Sequence, residues 1–232
     1  MKILISPAKT FRKEQIPHPE MTEILFPQEN DLLHQQLKKL NVQDWQDQFH
    51  VSAKVAEQNY QRMNREPDLH PALAYFHGEA FKHIDVETWN EQDWQYAQQH
   101  LCVLSAYYGL LRPLDGICAY RLDPMDKAGE LNPLKLWQSL IDEQLKGHPV
   151  VVLSSMEYAA MTQTEDQVYI QFIKNGKKAS SMEAKKMRGK MVREIIRNRI
   201  EEREKIKDLV ILDYHYEPSL STDQTWCFVQ GE

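Results

Sequence analysis

The sequence has few cysteines and no long hydrophobic run. Its three cysteines, Cys102, Cys118 and Cys227, are odd in number and widely separated among 232 residues. This pattern indicates a chain without structural disulfides, which favours a reducing compartment, and we expect a cytoplasmic protein. The longest apolar runs are too short to span a bilayer, and the first residues lack the apolar core of a signal peptide. We therefore expect no membrane partner.

Motifs that mark common cofactor, metal and redox sites are also missing. The sequence contains no G-x-G-x-x-G, no G-x-x-x-x-G-K and no G-x-S-x-G. His77, Glu79 and His83 could be drawn as metal ligands, but their spacing matches no standard site. No cysteine belongs to a C-x-x-C pair and each has apolar neighbours, which favours buried, inert thiols over peroxide-reactive ones. We predict no metal and no cofactor.

Charge is unevenly distributed along the chain. The whole sequence has 28 Lys and Arg against 34 Asp and Glu, a net charge of −6. The segment Lys174–Lys207 has 13 Lys and Arg against 5 Glu, a local net charge of +8, and the remaining 15 basic and 29 acidic residues leave −14 elsewhere. A basic segment on an acidic body indicates either a surface that faces a polyanion or charge pairing within the protein. The sequence leaves both open.

Short apolar runs predict buried strands, and amphipathic segments between them predict helices. We therefore predict an α/β fold: a single compact domain over residues 1–232, with a central mixed sheet flanked by helices and an appended helical segment at residues 30–64. A long basic helix is predicted to begin after Ser180 and to end near Lys207. The predicted strands are Lys2–Ile5, Ala72–Phe76, Leu101–Leu104, Val150–Leu153, Val168–Ile173, Leu209–Tyr214 and Thr225–Val229.

The helical segment contains a corner that is similar to a DNA-binding helix-hairpin-helix. In that motif an apolar-Gly-x-Lys-x-Ala hairpin offers backbone N–H groups to a phosphate. Val51, Ser52, Lys54 and Ala56 occupy the matching positions, but His50 and Ser52 replace the glycines. One hypothesis is that Ser52 and Lys54 contact a phosphate. The alternative is an ordinary helix corner with Ser52 as the amino-terminal cap.

Polar residues follow two of the predicted strands. Ser6, Lys9 and Thr10 follow the first strand, and Glu157 follows the strand that ends at Leu153. Since open α/β sheets place their sites at the carboxyl ends of strands, the first three are predicted to bind an anion and Glu157 to be a functional carboxylate. The alternatives are a solvated lysine beside a turn-capping serine and, for Glu157, a salt bridge or a helix cap.

A further strand ends in a tight corner that carries two guanidinium groups. The stretch Leu104–Pro124 contains Gly109, an Arg-Pro pair and an Asp-Gly turn, which together end any helix and reverse the chain. Arg112 and Arg121 lie within this stretch. We expect both guanidinium groups to serve as anion clamps near the strand end.

The predicted basic helix has cations close together in its first half. Lys185, Lys186, Arg188 and Lys190 are expected to contact a polyanion, and the alternative is a solvated helix face. Gly189 lies among them, and a glycine inside a helix costs about 1 kcal/mol relative to alanine. We therefore expect close packing, or a ligand, beside Gly189.

Several stretches resemble one known family. ISPAKT at residues 5–10, LSAYYGLLRPLD at residues 104–115 and YRLD at residues 120–123 are similar to signature motifs of the YaaA family of peroxide stress proteins. NPLKLW and AKKMRG also resemble family segments, whereas Met156 stands where the family usually has Asn. The resemblance implies a cellular role in limiting peroxide and iron toxicity.

Three functional hypotheses follow. The first is an oxidative-stress protein that binds DNA or another polyanion in a basic cleft where the motif segments converge, and limits iron and peroxide damage. The second is an enzyme that acts on a nucleotide, nucleoside or base in that cleft, with Glu157, Arg121 and Lys185 as catalytic residues. The third is a module that binds a metabolite or partner, and no oligomeric state is predicted. The residues predicted to bind nucleic acid or another anion are Ser6, Lys9, Thr10, Ser52, Lys54, Arg112, Lys185, Lys186, Arg188 and Lys190.

Overall fold

A computed structural model describes residues 1–231 of the chain. Its strands, in chain order, are β1 (Lys2–Ile5), β2 (His70–Pro71), β3 (Leu101–Ser105), β4 (Gly109–Leu111), β5 (Gly116–Ile117), β6 (Val150–Leu153), β7 (Gln167–Lys174), β8 (Lys177–Lys178), β9 (His215–Tyr216) and β10 (Thr225–Gln230). Eight of them form one mixed sheet in the order β4-β3-β1-β6-β7-β10-β9, with β8 paired to β7. The remaining strands, β2 and β5, form a separate antiparallel pair.

The centre of the main sheet is parallel and buried on both faces. Strand β1 lies between β3 and β6 and is parallel to each. Its side chains alternate between two apolar clusters: Ile3 and Ile5 pack on one face of the sheet and Leu4 on the other. Continuous apolar runs are what such doubly covered strands require. The carboxyl ends of β1, β3 and β6 therefore lie at one edge of the sheet.

Helices cover both faces of this sheet, as predicted. Helix α7 contributes Trp137 and Ile141 to the cluster that contains Leu4, whereas α9 contributes Met187 and Met191 to the opposite cluster. The helices are α1 (Pro27–Lys38), α2 (Val42–Phe49), α3 (Ala53–Asn64), α4 (Ala72–Tyr75), α5 (Glu79–Ile84), α6 (Glu91–His100), α7 (Pro133–Leu145), α8 (Met156–Ala159) and α9 (Ser181–Arg197). Within residues 1–231, no helix combines the length and the apolar character needed to cross a bilayer.

Helices α5 and α9 approach each other very closely. A Cβ atom added at Gly189 would lie 2.1 Å from the carbonyl oxygen of Ala80 and 3.0 Å from the Cβ of His83. No side chain larger than hydrogen fits there unless the backbone moves. The glycine in α9 is therefore explained by packing against α5.

Two predicted strands are wrong. Residues 72–75 form helix α4, which follows Pro71 and whose first N–H group donates to the carbonyl oxygen of Asp115. A short apolar run does not by itself distinguish a strand from a buried helical turn, and a distant segment decided the outcome here. Residues 209–214 form a turn with positive φ at Leu212 and Asp213, and the edge strand β9 begins only at His215.

The predicted end of the basic helix is also wrong. Ser180 caps α9 by accepting a hydrogen bond from the backbone N–H of Glu183, as expected. The helix nevertheless ends at Arg197, because Arg199 adopts a left-handed conformation with φ of 47°. A separate 3₁₀ turn follows at Arg203–Asp208.

The appended helical segment consists of α1, α2 and α3. Helix α1 begins at Pro27, and in its first turn the side chain of Asn30 donates to the carbonyl oxygen of Tyr107. His50 turns the chain between α2 and α3 with φ of 49°, and Ser52 caps α3 by accepting from the N–H of Val55 at 3.4 Å. The corner is thus a capped helix hairpin, and its identity as a DNA-binding motif stays a prediction.

Candidate functional site

Two neighbouring cavities contain most of the predicted site residues. The basic cleft, of about 810 Å³, is lined by the cations Lys9, Arg12, Lys13, Arg62, Arg65 and Arg121. The strand-end pocket, of about 460 Å³, is lined by polar residues that include Ser6, Ser155, Glu157, Tyr158, Lys185 and Arg188. Lys9 and Thr10 line both cavities. The loop that follows β1 therefore separates them.

The basic cleft has a strong excess of positive charge. Six cations line it with one carboxylate, Asp68, which contacts the Nε2 atom of His70 at 3.2 Å. Carboxylates outside the lining pair with three of the cations: Glu87 with Arg12, and Asp123 with Lys9 and Arg121. Lys13 and Arg65 are exposed and, among the described residues, take part in no ion pair. A cleft of this sign concentrates anions and attracts polyanions from a distance.

Aromatic side chains lie among these cations. The rings of Phe11 and Tyr75 are 4.8 Å apart, and both line the cleft. The guanidinium of Arg62 lies 6.0 Å from the centre of the Phe11 ring, and burial lowers the pKa of Arg62. Burial likewise raises the pKa of Tyr75. The cleft thus offers both charge and aromatic surface to a ligand.

The corner between α2 and α3 borders the basic cleft. Val51, Ser52 and Val55 line it, whereas Lys54 is exposed and lies outside the lining. The backbone N–H groups in the first turn of an α-helix have no carbonyl partners within the helix. In α3 the hydroxyl of Ser52 accepts one of them, from Val55. The structure therefore brings Ser52 to the cleft, with the start of α3, but not Lys54.

Asp123 connects the two cavities. Its carboxylate contacts Lys9 Nζ at 2.7 Å and Arg121 Nη2 at 3.6 Å, and it accepts a hydrogen bond from the hydroxyl of Tyr158 at 3.1 Å. Burial raises the pKa of Tyr158, and the neighbouring carboxylate raises it further. Asp123 was not among the predicted site residues, although it ends the YRLD motif that includes Arg121.

Two serines meet at the floor of the strand-end pocket. Ile5 and Leu153 are partners in the parallel pairing of β1 and β6, so the residues that follow them emerge side by side. The backbone N–H of Ser155 donates to Ser6 Oγ at 2.8 Å, and the two hydroxyl oxygens are 3.3 Å apart. The predicted meeting of Ser6 with the segment after β6 is therefore observed.

Helix α9 contributes cations to the same pocket. Lys185 and Arg188 are three residues apart, which places them on one face of the helix, and both line the pocket. The Nε atom of Arg188 is buried without a hydrogen-bond partner among the described residues, and burial lowers the pKa of Arg188. Lys186 and Lys190 lie outside the lining. The four predicted cations are therefore divided between the pocket and the outer surface.

The basic segment uses its charge in two ways. In its second half, Arg193 pairs with Asp85 at 3.0 Å, Arg199 with Asp93 at 3.1 Å and Arg203 with Asp166 at 2.5 Å. Lys185, Lys186, Arg188 and Lys190 form no ion pair with any residue from 1 to 231. Internal pairing therefore uses part of the charge in the second half, whereas these four cations of the first half are unpaired. Lys174, also in the first half, lies 3.7 Å from Glu183.

The predicted catalytic residues are separated. Glu157 is exposed, lines the strand-end pocket with Lys185, and makes no ion pair with Arg112, Arg121 or Arg188. Arg121 instead lines the basic cleft. The expected grouping of Glu157, Arg121 and Lys185 in one opening is therefore only partly observed.

Arg112 lies apart from both cavities. Its guanidinium donates to Asp115 Oδ1 from Nε at 3.0 Å and from Nη2 at 2.8 Å, and Nη2 also donates to the carbonyl oxygen of Glu23 at 2.7 Å. Burial raises the pKa of Asp115, and its hydrogen bonds from Arg112 and Thr22 oppose that rise. Arg112 thus holds the corner after β4 together and does not reach the site.

Several cations of the basic cleft were missed by the sequence reasoning. Arg12 and Lys13 lie two and three residues after the ISPAKT motif, and Arg62 and Arg65 are three residues apart near the end of α3. In a helix that spacing would place two cations on one face, but α3 ends at Asn64 and Arg65 follows it with an extended backbone. The spacing was the one local signal available, since the packing of α3 against the loop after β1 is a tertiary feature.

The His, Cys, Asp and Glu side chains and the three thiols are the groups that bear on metal and redox chemistry. Over residues 1–231, no group of three or more His, Cys, Asp or Glu side chains could hold a metal ion. Burial raises the pKa of Cys102 to about 11 and also raises the pKa of Cys118 and Cys227. Because the thiolate is the reactive form, burial disfavours the reactive form of all three thiols.

The fold and the two cavities together define a class of protein. Parallel strands whose carboxyl ends open on a polar pocket are typical of α/β proteins, which place their ligand sites at that edge of the sheet. Residues 1–220 match the family described as peroxide stress protein YaaA. The chain therefore belongs to the YaaA family of peroxide stress proteins.

Relatives of full length support this assignment. The UPF0246 protein of Marinomonas sp. (strain MWYL1) is 34% identical over 255 residues, which covers 100% of this chain and 98% of the relative. The UPF0246 proteins of Crocosphaera subtropica and Finegoldia magna are each 31% identical, over 250 and 246 residues, and cover at least 98% of both chains in each pair. A role in the response to peroxide stress follows from this kinship.

Proposed function

We propose that this peroxide stress protein binds nucleic acid through the basic cleft, and that it limits iron and peroxide damage in this bound form. The single observation that carries the proposal is the charge of the cleft: six Lys and Arg side chains line it, and three of them, Lys13, Arg62 and Arg65, form no ion pair within residues 1–231. We also propose a cytoplasmic location, because all three cysteines are free and free thiols are typical of reducing compartments.

Three features favour nucleic acid over a small anion as the ligand of this cleft. The cations come from the loop after β1, from α3 and from the YRLD motif, so they are spread along the opening. Phe11 and Tyr75 supply aromatic surface on which bases can stack. The first turn of α3 presents backbone N–H groups at the edge of the cleft, which suits a phosphate.

The proposal is tested by measuring DNA binding as a function of salt. We expect the affinity for duplex or single-stranded DNA to fall steeply, with a log–log slope of about −0.9 or −0.7 per neutralised phosphate. Lys13→Gln and Arg65→Gln should each weaken binding and reduce the slope by about one unit, because both side chains are unpaired cations of the cleft. Fluorescence anisotropy with labelled oligonucleotides measures both quantities.

Lys39→Gln is the matched control for this experiment. Lys39 is an exposed lysine at the end of α1 that lines neither cavity, so its loss should leave both affinity and slope nearly unchanged. No binding at low salt, or equal losses in the Lys13, Arg65 and Lys39 variants, would contradict the proposal.

A further inference from the structure

The strand-end pocket has chemistry that the proposed nucleic-acid cleft does not use. It contains two unpaired cations, an unpaired carboxylate and the hydroxyls of Ser6, Ser155 and Ser181, beside an apolar wall that includes Pro7 and Ala8. We propose that this pocket binds a nucleoside monophosphate, with Lys185 and Arg188 holding its phosphate. This inference goes beyond nucleic-acid binding and does not depend on it.

The cations of the pocket lack the partners that a purely structural role would supply. Arg188 is half-buried, its Nε atom is buried without a hydrogen-bond partner, and no carboxylate of residues 1–231 lies within ion-pair distance of it. A cation removed from water without a partner is costly. A phosphate offers the planar guanidinium the bidentate acceptor that it lacks here.

The other charged groups around the pocket do not cancel this charge. Glu79 lines the pocket but contacts the Nε2 atom of His83 at 3.1 Å, and Lys9 is held by Asp123 at 2.7 Å. Glu157 forms no ion pair with Lys185 or Arg188. Two cations therefore remain available for an anionic group, and one carboxylate remains available as an acceptor for N–H or O–H groups.

The pocket is held rigidly enough to position such a ligand. Gly189 packs directly against Ala80, which fixes α9 and its cations relative to α5. The hydrogen bond from Ser155 N–H to Ser6 Oγ joins the ends of β1 and β6 on the floor of the pocket. The phosphate-binding and acceptor groups thus come from different elements that are tied together.

Size and polarity favour a nucleotide over a bare phosphate. A volume of about 460 Å³ is far more than one phosphate fills and lies in the usual range for small-molecule sites. The apolar wall formed by Pro7, Ala8 and Ala80, which are partly exposed, suits the face of a base. Glu157 and the serines can then bind ribose hydroxyls or the amino groups of a base.

Isothermal titration calorimetry on the full chain tests this inference. The probes are AMP, GMP, CMP and UMP, with inorganic phosphate, ribose 5-phosphate and adenosine as comparisons. We expect at least one nucleoside monophosphate to bind about tenfold tighter than inorganic phosphate or adenosine, since only a nucleotide uses both the cations and the apolar wall. Equal affinity for phosphate and all four nucleotides would overturn the inference.

Lys185→Gln and Lys186→Gln form a matched pair on adjacent residues. Each removes one lysine charge from the first half of α9, but only Lys185 lines the pocket. We expect Lys185→Gln to weaken nucleotide binding about tenfold and Lys186→Gln to leave it within about twofold. Equal losses in the two variants would mean a general charge effect and would overturn the inference. Glu157→Gln should lower the affinity for the nucleotide but leave the weak affinity for inorganic phosphate unchanged.

The same samples separate this inference from the proposed function. Lys13→Gln and Arg65→Gln should leave nucleotide binding unchanged, so nucleotide binding without DNA binding would refute only the nucleic-acid proposal. If a short single-stranded oligonucleotide displaces the bound nucleotide, the natural ligand is the end of a nucleic-acid strand. If it does not, the natural ligand is the free nucleotide. Product analysis after incubation shows separately whether Glu157 also supports turnover.

Discussion

At the scale of single residues, Arg112 shows how a side chain predicted to bind an anion can have a structural role. Asp115 is fully buried, and Arg112 provides two of its hydrogen bonds from the guanidinium and one from the backbone N–H. From the local sequence LRPLD alone, Arg112 looks like an exposed cation next to a turn. The acceptor that occupies Arg112 is only three residues away.

We expect Arg112→Ala to lower the free energy of unfolding by about 3 kcal/mol at neutral pH, because it leaves a buried carboxylate without its cation. The loss should shrink as the pH is lowered. Without Arg112 the raised pKa of Asp115 rises further, and a group with a raised folded-state pKa stabilises the fold only where it is protonated. Urea unfolding across pH measures this, with Arg65→Ala as the exposed control. A loss that does not vary with pH would contradict this explanation.

At the scale of secondary-structure elements, α9 determines the geometry of the strand-end pocket. Its start follows from Ser180, whose hydroxyl accepts a hydrogen bond from the backbone N–H of Glu183. The apolar face that follows, which includes Met187 and Met191, packs into the core. The end of the helix depends on the left-handed Arg199, and its position depends on contact with α5. Local sequence therefore predicted where the helix begins, but not where it ends or what it packs against.

Gly189→Ala provides a test in which the sign of the effect is informative. An alanine in an open helix interior would stabilise the protein by about 1 kcal/mol. Here the added methyl group meets the Ala80 carbonyl, so we expect destabilisation by about 1–3 kcal/mol. Thermal and urea unfolding measure the change. A stabilised variant would show that α5 and α9 are farther apart than described.

At the scale of the whole molecule, two histidines connect distant parts of the chain. Nδ1 of His34 in α1 lies 2.7 Å from the hydroxyl of Tyr107, and Nδ1 of His100 donates to the carbonyl oxygen of Met1 at 2.9 Å. Burial lowers the pKa of both imidazoles. Both are therefore protonated more readily in the unfolded chain than in the folded one.

We expect the free energy of unfolding to fall as the pH is lowered from about 7.5 to about 5.5, through the unfolded histidine pKa of about 6.5. Across this range the unfolded state binds more protons than the folded state at these two positions. Urea midpoints at several pH values measure the slope. The double variant His34→Gln/His100→Gln should flatten it, and His18→Gln, at an exposed imidazole, is the control. Equal slopes in all three proteins would contradict this account.

The sequence by itself determined the strands at the centre of the sheet and the amino-terminal caps of helices. Runs such as Lys2–Ile5 and Val150–Leu153 can be buried on both faces only as central strands, and Ser52 and Ser180 act on N–H groups within their own helix turn. The motif residues also indicated the family and the serines and cations at the strand ends. These are local properties, and the single-domain organisation over residues 1–232 stays a prediction.

Only the tertiary structure decided which charges are available to a ligand. Arg62 and Arg65 join Lys9 in one cleft because α3 packs beside the loop after β1, whereas Arg112 is neutralised by a buried aspartate. The helix of residues 72–75 likewise depends on a hydrogen bond to Asp115. The physical reason is the same in each case: a charge or a short apolar run can pair with many partners, and the choice depends on contacts between residues far apart in the chain.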